Sequence, residues 1–276
     1  MLPNLVIIGA TKSGTTSLHN YLDLHPQVSM SPTKELDFFI LEKNWPKGLE
    51  WYKSNFVSTD ATKVLGESSP NYTMCHVFSG VPERMHSIIP GAKLIYTLRD
   101  PVERIVSHYV HNYRRRVENR KISEVLTDLE TNYYVLCSKY YMQLEQFLGY
   151  YPRSDILVIT LEDLARYRRE TMQKIFRFLN VDDSFYSPGF SNVLYTSSGK
   201  KRTSRIGLLW SKMPGKSIIK PLLPSRLGGV YRALARSEVK RPVLGAKLKQ
   251  ALIDVLKDDM DCLRAYTGSD FEAWCV

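Results

Sequence analysis

No stretch of the sequence approaches about 18 uninterrupted apolar residues, so a membrane-spanning helix is not expected. The opening residues MLPNLVIIGATKSG carry no basic segment, and their apolar run is too short for a secretory leader. A cytoplasmic protein is the expectation, or a catalytic domain whose membrane anchor lies outside this chain. Cysteine is scarce: Cys75, Cys137, Cys262 and Cys275 are scattered, with no CxxC pair and no Cys/His cluster of zinc spacing. No metal is therefore expected, and reduced thiols are the plain reading. A Cys262–Cys275 bridge stays open for an oxidising compartment. Acidic residues are the minority, 28 against 38 Lys and Arg, for a net charge of +10. That balance fits an anionic cofactor, an anionic substrate, a nucleic acid or a membrane surface, and does not choose among them.

What is present is a chain of 276 residues with ordinary apolar and charged fractions, long enough to bury a core without disulfides or metals. Short apolar runs at 5–8, 28–30, 64–66, 93–98 and 156–160 read as buried strands. Helical spacing appears over 16–24, 102–116, roughly 134–149 and 171–179. Strands alternating with helices predict a parallel sheet covered on both faces. From about Ser187 the texture turns polar and basic, and an amphipathic helix is expected over about 244–265. The expected organisation is one domain over 1–276, with an α/β core over 1–186 and a basic loop and helical cap over 187–276.

The most informative segment is Gly9-Ala-Thr-Lys12-Ser13-Gly14-Thr15-Thr16-Ser17, between the first strand and the first helix. Its glycines let backbone N–H groups approach an anion, and the helix N-terminus adds partial positive charge. Thr15, Thr16 and Ser17 add hydroxyl donors. A plain Ser/Thr turn capping a helix would account for the same residues without a ligand. A nucleotide kinase would use GxxxxGK[ST], whereas here Thr15 holds the lysine position and the lysine has moved to Lys12. Magnesium also lacks an obvious second acid. Asp100 ends one strand and Glu162 and Asp163 follow another, yet each sits in a segment that can be accounted for without a metal.

This loop resembles the 5′-phosphosulfate loop of the sulfotransferases that use 3′-phosphoadenosine 5′-phosphosulfate (PAPS), Lys12 included. Leu98-Arg99-Asp100-Pro101 through Ser107-His108-Tyr109 resembles that family's 3′-phosphate motif. The match implies that Arg99 and Ser107 hold the 3′-phosphate. An arginine fork with a hydroxyl suits a phosphate; a surface pair of Arg99 with Asp100 or Glu103 is the structural alternative. Gly66-Glu67-Ser68-Ser69-Pro70-Asn71-Tyr72 resembles the family's strand end beside the acceptor, with Ser68 where some heparan enzymes carry lysine. The basic stretch around Lys200 and Arg202 falls where the family has a loop closing over the nucleotide, which implies a phosphate role for both. Lys34-Glu35-Leu36-Asp37-Phe38-Phe39 is most similar to carbohydrate, heparan-type sulfotransferases, with natural-product enzymes also similar. By that resemblance Glu35 is the general base.

The implied fold is α/β: a P-loop-like parallel sheet flanked by helices, with a helical C-terminal cap. The implied reaction moves the sulfuryl group of PAPS to a hydroxyl by in-line displacement, releasing adenosine 3′,5′-bisphosphate without a metal. Lys12 would stabilise the leaving oxygen, while Glu67 and His108 are reserve candidates on the acceptor side. His25, in the turn after the first helix, reads as a local hydrogen-bonding residue. Trp45, Trp51, Tyr52 and Phe56 could stack a sugar, although core packing is the preferred reading. The Arg114–Arg116 run could steer an anionic acceptor, with a solvated helix end as its plainer reading. The expected partner is a glycan or small-molecule acceptor, with a carrier-protein-bound acyl chain left open, and neither nucleic acid nor stable membrane insertion. Two other readings remain, a nucleotide-dependent phosphotransferase and a non-enzymatic polyanion-binding module.

Overall fold

The computed structural model describes residues 1–191, 201–203 and 236–276, of which 201–203 and 236–238 are described by their backbone alone. Five parallel strands form the sheet: β1 (Leu5–Gly9), β2 (Val28–Met30), β3 (Val64–Ser68), β4 (Lys93–Leu98) and β5 (Ile156–Thr160), in the order β2-β3-β1-β4-β5. β1 is central, its Val6 opposite Glu67 on one side and Leu94 on the other. All five of its residues are buried, as a strand covered on both faces requires.

Alternation along β1 sorts the core into two layers. Val6 and Ile8 face one apolar cluster, joined by Leu94, Tyr96 and Leu98 of β4. Against it pack Met85 of α3 (Val81–Ile88), Leu144 and Phe147 of α7 (Tyr140–Leu148), and Met260 and Leu263 of α10 (Ala246–Thr267). Leu5 and Ile7 face the other cluster, with Leu18 and Leu22 of α1 (Thr15–Asp23) and Ile175 and Phe176 of α9 (Arg168–Leu179). The expected strands are all found, three of them with the expected ends.

The helix expected over 134–149 is two pieces, α6 (Tyr133–Leu136) and α7. The break has a tertiary cause. Arg104, fully buried, donates from Nε to Ser138 Oγ and from Nη2 to the Tyr134 carbonyl. Asp259 of α10 then caps α7, its carboxylate accepting the N–H groups of Tyr141 and Met142 at 3.0 and 2.8 Å. Shorter helices complete this part: α2 (Gly48–Lys53) and α8 (Leu161–Arg166). Tyr52 and Phe56 are buried, and Trp45 and Trp51 pack against the same cluster, so the core reading of these aromatics holds.

The chain divides into two compact units, the first comprising residues 1–105, 128–195 and 246–276. α4 (Pro101–Arg115) starts in the first and ends in the second. Within the second unit, Tyr109 donates to the Arg120 carbonyl at 2.8 Å. Arg120 pairs with Glu118 at 2.8 Å, which holds that carboxyl down at about 2. The second unit also contains α5 (Ile122–Val125) and an antiparallel pair, β6 (Lys201–Thr203) with β7 (Arg236–Glu238). Among the described residues no helix is long and apolar enough to cross a membrane. All four cysteines are free.

Candidate active site

The carboxyl ends of β1, β3 and β4 meet where the chain leaves the sheet, the place where open α/β folds bind ligands. From β1 the chain enters the glycine loop. A Cβ on Gly9 would fall 2.5 Å from Thr73 Oγ1, so only glycine lets the strand end so close to its neighbour. Gly14, at φ +87, serves as the N-cap of α1 in a left-handed conformation, and a Cβ there would meet Leu161 at 2.7 Å. Lys12 also adopts positive φ (+73), which costs a lysine about 1–2 kcal/mol. The loop is held to β4 by Ala10 N–H to the Thr97 carbonyl (2.7 Å) and by Thr97 Oγ1 to the Gly9 carbonyl (2.8 Å).

Two buried hydroxyls in this loop, Thr11 Oγ1 and Ser13 Oγ, have no hydrogen bond of ordinary geometry among the described residues, and Ser13 is fully buried with Tyr140 as its polar neighbour. Among the described residues no side chain caps α1, so the N–H groups of Thr15, Thr16 and Ser17 are left at the open helix N-terminus. Orphaned buried donors at the positive end of a helix fit a bound anion such as the phosphosulfate of PAPS. A plain capping turn would have used these hydroxyls itself.

Glu35 stands in the segment after β2, its side chain 43% exposed. Lys34 is mostly covered and links it to the loop. Its Nζ lies 3.2 Å from Glu35 Oε1 and 3.5 Å from Thr15 Oγ1. His19, on α1, is pushed down to about 4 by burial and then by the Lys34 charge, so it is neutral at physiological pH. Thus Lys12, Ser13, Thr15 and Glu35 are brought to the carboxyl end of the sheet. The contact of Lys34 with Thr15 was not foreseen from the sequence.

At the end of β4, Asp100 caps α4 by accepting the Glu103 N–H at 2.8 Å, and its other oxygen accepts the Cys275 N–H at 2.7 Å. Its carboxylate serves the fold. Arg99 is fastened through its carbonyl, which accepts from Tyr140 at 2.8 Å, while its guanidinium pairs with Glu103 at 3.0 Å. Ser107 and His108 are both buried on α4, in the second unit. Arg202 lies in β6 opposite Ser237, described by its backbone alone, and Lys200 lies outside the described residues.

Glu67 is placed inside the protein, at 0% exposure, accepting hydrogen bonds from Tyr52 (2.7 Å), Tyr72 (2.9 Å) and Ser69 (2.7 Å). Burial raises its carboxyl to about 7 against the pull of these hydroxyls. His25 accepts the Gln27 N–H at Nδ1 and meets the Asp182 carbonyl at Nε2, the local role expected of it. A separate cavity of about 470 Å³ runs along β5, lined by Arg153, Arg166, Lys174, Tyr266 and Trp274; neither the glycine loop nor Glu35 lines it. No group of acidic, His or Cys side chains among the described residues could hold a metal.

A family model described as "Sulfotransferase domain" matches residues 2–193. The chain belongs to the sulfotransferase family. It is 30% identical over 190 residues to human heparan sulfate glucosamine 3-O-sulfotransferase 5, a match covering 65% of this chain and 54% of that protein. It is also 30% identical over 200 residues to human bifunctional heparan sulfate N-deacetylase/N-sulfotransferase 2, covering 65% and 22%. The chain thus spans about half of the first relative and about a fifth of the second. A sulfotransferase structure from Alicyclobacillus acidocaldarius shares the fold across 99% of both chains, with a TM-score of 0.72 at 23% identity.

Proposed function

We propose that this sulfotransferase moves the sulfuryl group of PAPS to an acceptor hydroxyl, with Glu35 as general base. The observation that carries the reading is the pair of orphaned hydroxyls, Thr11 and Ser13, buried beside an uncapped helix N-terminus. Such a cradle is stabilised by an anion with several acceptor oxygens, and destabilised without one.

PAPS supplies an activated sulfur–oxygen bond. The loop N–H groups, Ser13, Gly14, Thr15, Thr16 and Ser17 hold its 5′ end, and Lys12 donates to the oxygen that becomes negative as that bond breaks. Arg99 takes the 3′-phosphate in a forked contact, exchanging its bond to exposed Glu103 for a stronger one. Ser107, Lys200 and Arg202 keep the phosphate roles implied by their motifs. Glu35 removes the acceptor proton as the acceptor oxygen bonds to sulfur, and the electron pair of the broken bond leaves on adenosine 3′,5′-bisphosphate. Lys34 pairs with Glu35 and holds it beside Thr15. Electrostatic stabilisation and positioning supply most of the acceleration, with the base adding about 10²–10⁴.

The first acceptor to test is a glycan, because the two human relatives are named for heparan sulfate. Labelled PAPS is incubated with heparan sulfate, a hydroxyacyl carrier protein and a simple phenol. Label on one of these, with release of adenosine 3′,5′-bisphosphate, is the expected result. ATP-dependent labelling in place of PAPS-dependent labelling would overturn the reading.

A further inference from the structure

The carboxylate of Glu67 is too deeply buried to meet an acceptor, yet it is tied to the segment that carries Glu35. Its Oε2 accepts from Ser69 Oγ, and that same Oγ accepts the Asp37 N–H at 2.9 Å. Its Oε1 accepts from the Tyr72 hydroxyl, which in turn accepts the Phe38 N–H at 2.9 Å. The Ser69 hydroxyl therefore relays the Glu67 carboxyl to the Asp37 N–H, and the Tyr72 hydroxyl relays it to the Phe38 N–H and, at 3.5 Å, to the Phe39 N–H, two to four residues beyond Glu35. The ends of the same segment are fastened separately. Asn44 donates to the Leu36 carbonyl at 2.7 Å, and Asn71 and Lys43 both hold the Asp37 carboxylate. Phe38 stacks on Tyr52 at 4.2 Å, with Tyr52 donating to Glu67 beneath it.

We infer that Glu67 is a positioning residue for the transfer reaction, fixing through Ser69 and Tyr72 the backbone from which Glu35 reaches the acceptor. The inference rests on Glu35 being the base. A buried carboxyl that accepts at both oxygens makes a directional anchor, and relays to adjacent N–H groups fix a plane as well as a point. Loss of either relay leaves a buried N–H unpaired and frees the segment to shift, and misplacement of about 1 Å is costly to a proton-transfer geometry.

The test is a double-mutant cycle on the whole chain, following adenosine 3′,5′-bisphosphate released from PAPS with water or the best acceptor. Tyr72→Phe keeps the ring and removes the relay, and Ser69→Ala removes the other; both are milder than Glu67→Gln. Each should lower kcat about tenfold or more, with affinity for adenosine 3′,5′-bisphosphate within about twofold of wild type. In the Glu35→Gln background the same changes should cost less than about twofold, because the group they position is no longer a base. An equal cost in both backgrounds, or no cost in the wild type, would overturn the positioning role and leave Glu35 as base. Unimpaired turnover by Glu35→Gln alone would overturn the base assignment, and the inference with it.

Discussion

The loop after β1 and the knot of side chains around Glu67 at the end of β3 are neighbours at one end of the sheet, and they differ in how they treat most of their polar atoms. In the loop, the buried Thr11 and Ser13 hydroxyls go unmatched among the described residues and the N-terminus of α1 has no side-chain cap there. In the knot, the Glu67 carboxyl and the Ser69 and Tyr72 hydroxyls are engaged, down to the backbone N–H groups of Asp37 and Phe38, and the buried Ser68 hydroxyl between them is left without a partner among the described residues. Unmatched buried groups are costly unless a ligand completes them, which is why the proposed reading makes the loop the binding element. The matched groups, Glu67, Ser69 and Tyr72, gain nothing from a ligand, which is why the proposed reading makes them scaffold. The proposed chemistry falls between the two, where Lys34 joins Thr15 to Glu35.

The sharpest way to break this contrast is on the loop side. Lys12→Ala should lower turnover with PAPS by about 10²–10³ while retaining measurable affinity for adenosine 3′,5′-bisphosphate, because its charge counts most as the leaving oxygen becomes negative. Steady-state kinetics and calorimetry on one preparation separate the two effects. Wild-type turnover in this variant would remove Lys12 from the reaction.

The knot answers to pH. Burial raises the Glu67 carboxyl from its ordinary 4.5 to about 7, with Asp37 adding to the rise and the Ser69, Tyr52 and Tyr72 hydroxyls opposing it. Between those values the folded protein holds a proton that the unfolded chain has lost. Stability from this group is therefore full below about pH 4.5 and falls as pH rises through about 7, by an amount of order 3 kcal/mol. Glu67→Gln cannot ionise, so wild type should lose more stability than this variant between pH 5 and pH 8. Denaturant unfolding at the two pH values checks it, and parallel losses would show that Glu67 does not titrate in that window.

Between loop and knot, Glu35→Gln should fold normally and bind adenosine 3′,5′-bisphosphate as wild type does. It should lose about a hundredfold in turnover, the lower range of general-base catalysis. Weakened bisphosphate binding with intact turnover would instead make Glu35 part of the loop's support.

What the sequence showed of this architecture follows the range of the forces involved. Strands β2, β4 and β5 are legible to the residue because local apolar runs define them. The glycine loop is legible because its chemistry is contiguous. The interruption at Cys137 and Ser138 is not, since it depends on Arg104 reaching across from another helix. Glu67 reads in sequence as an acid beside the acceptor, because nothing local announces that Tyr52, fifteen residues earlier, will donate to it. Lys34 is similar: its neighbour Glu35 is visible in sequence, but Thr15 is not.

The central claim is that the unmatched end of the sheet is built for a nucleotide with phosphate at both the 5′ and 3′ positions. Titration calorimetry with adenosine 3′,5′-bisphosphate and with AMP tests it most directly, in wild type and in Arg99→Ala. Charge-assisted hydrogen bonds contribute roughly 1.5–3 kcal/mol, so wild type should prefer the bisphosphate by about tenfold or more, and Arg99→Ala should narrow that preference. Equal wild-type affinity for the two nucleotides would contradict the account.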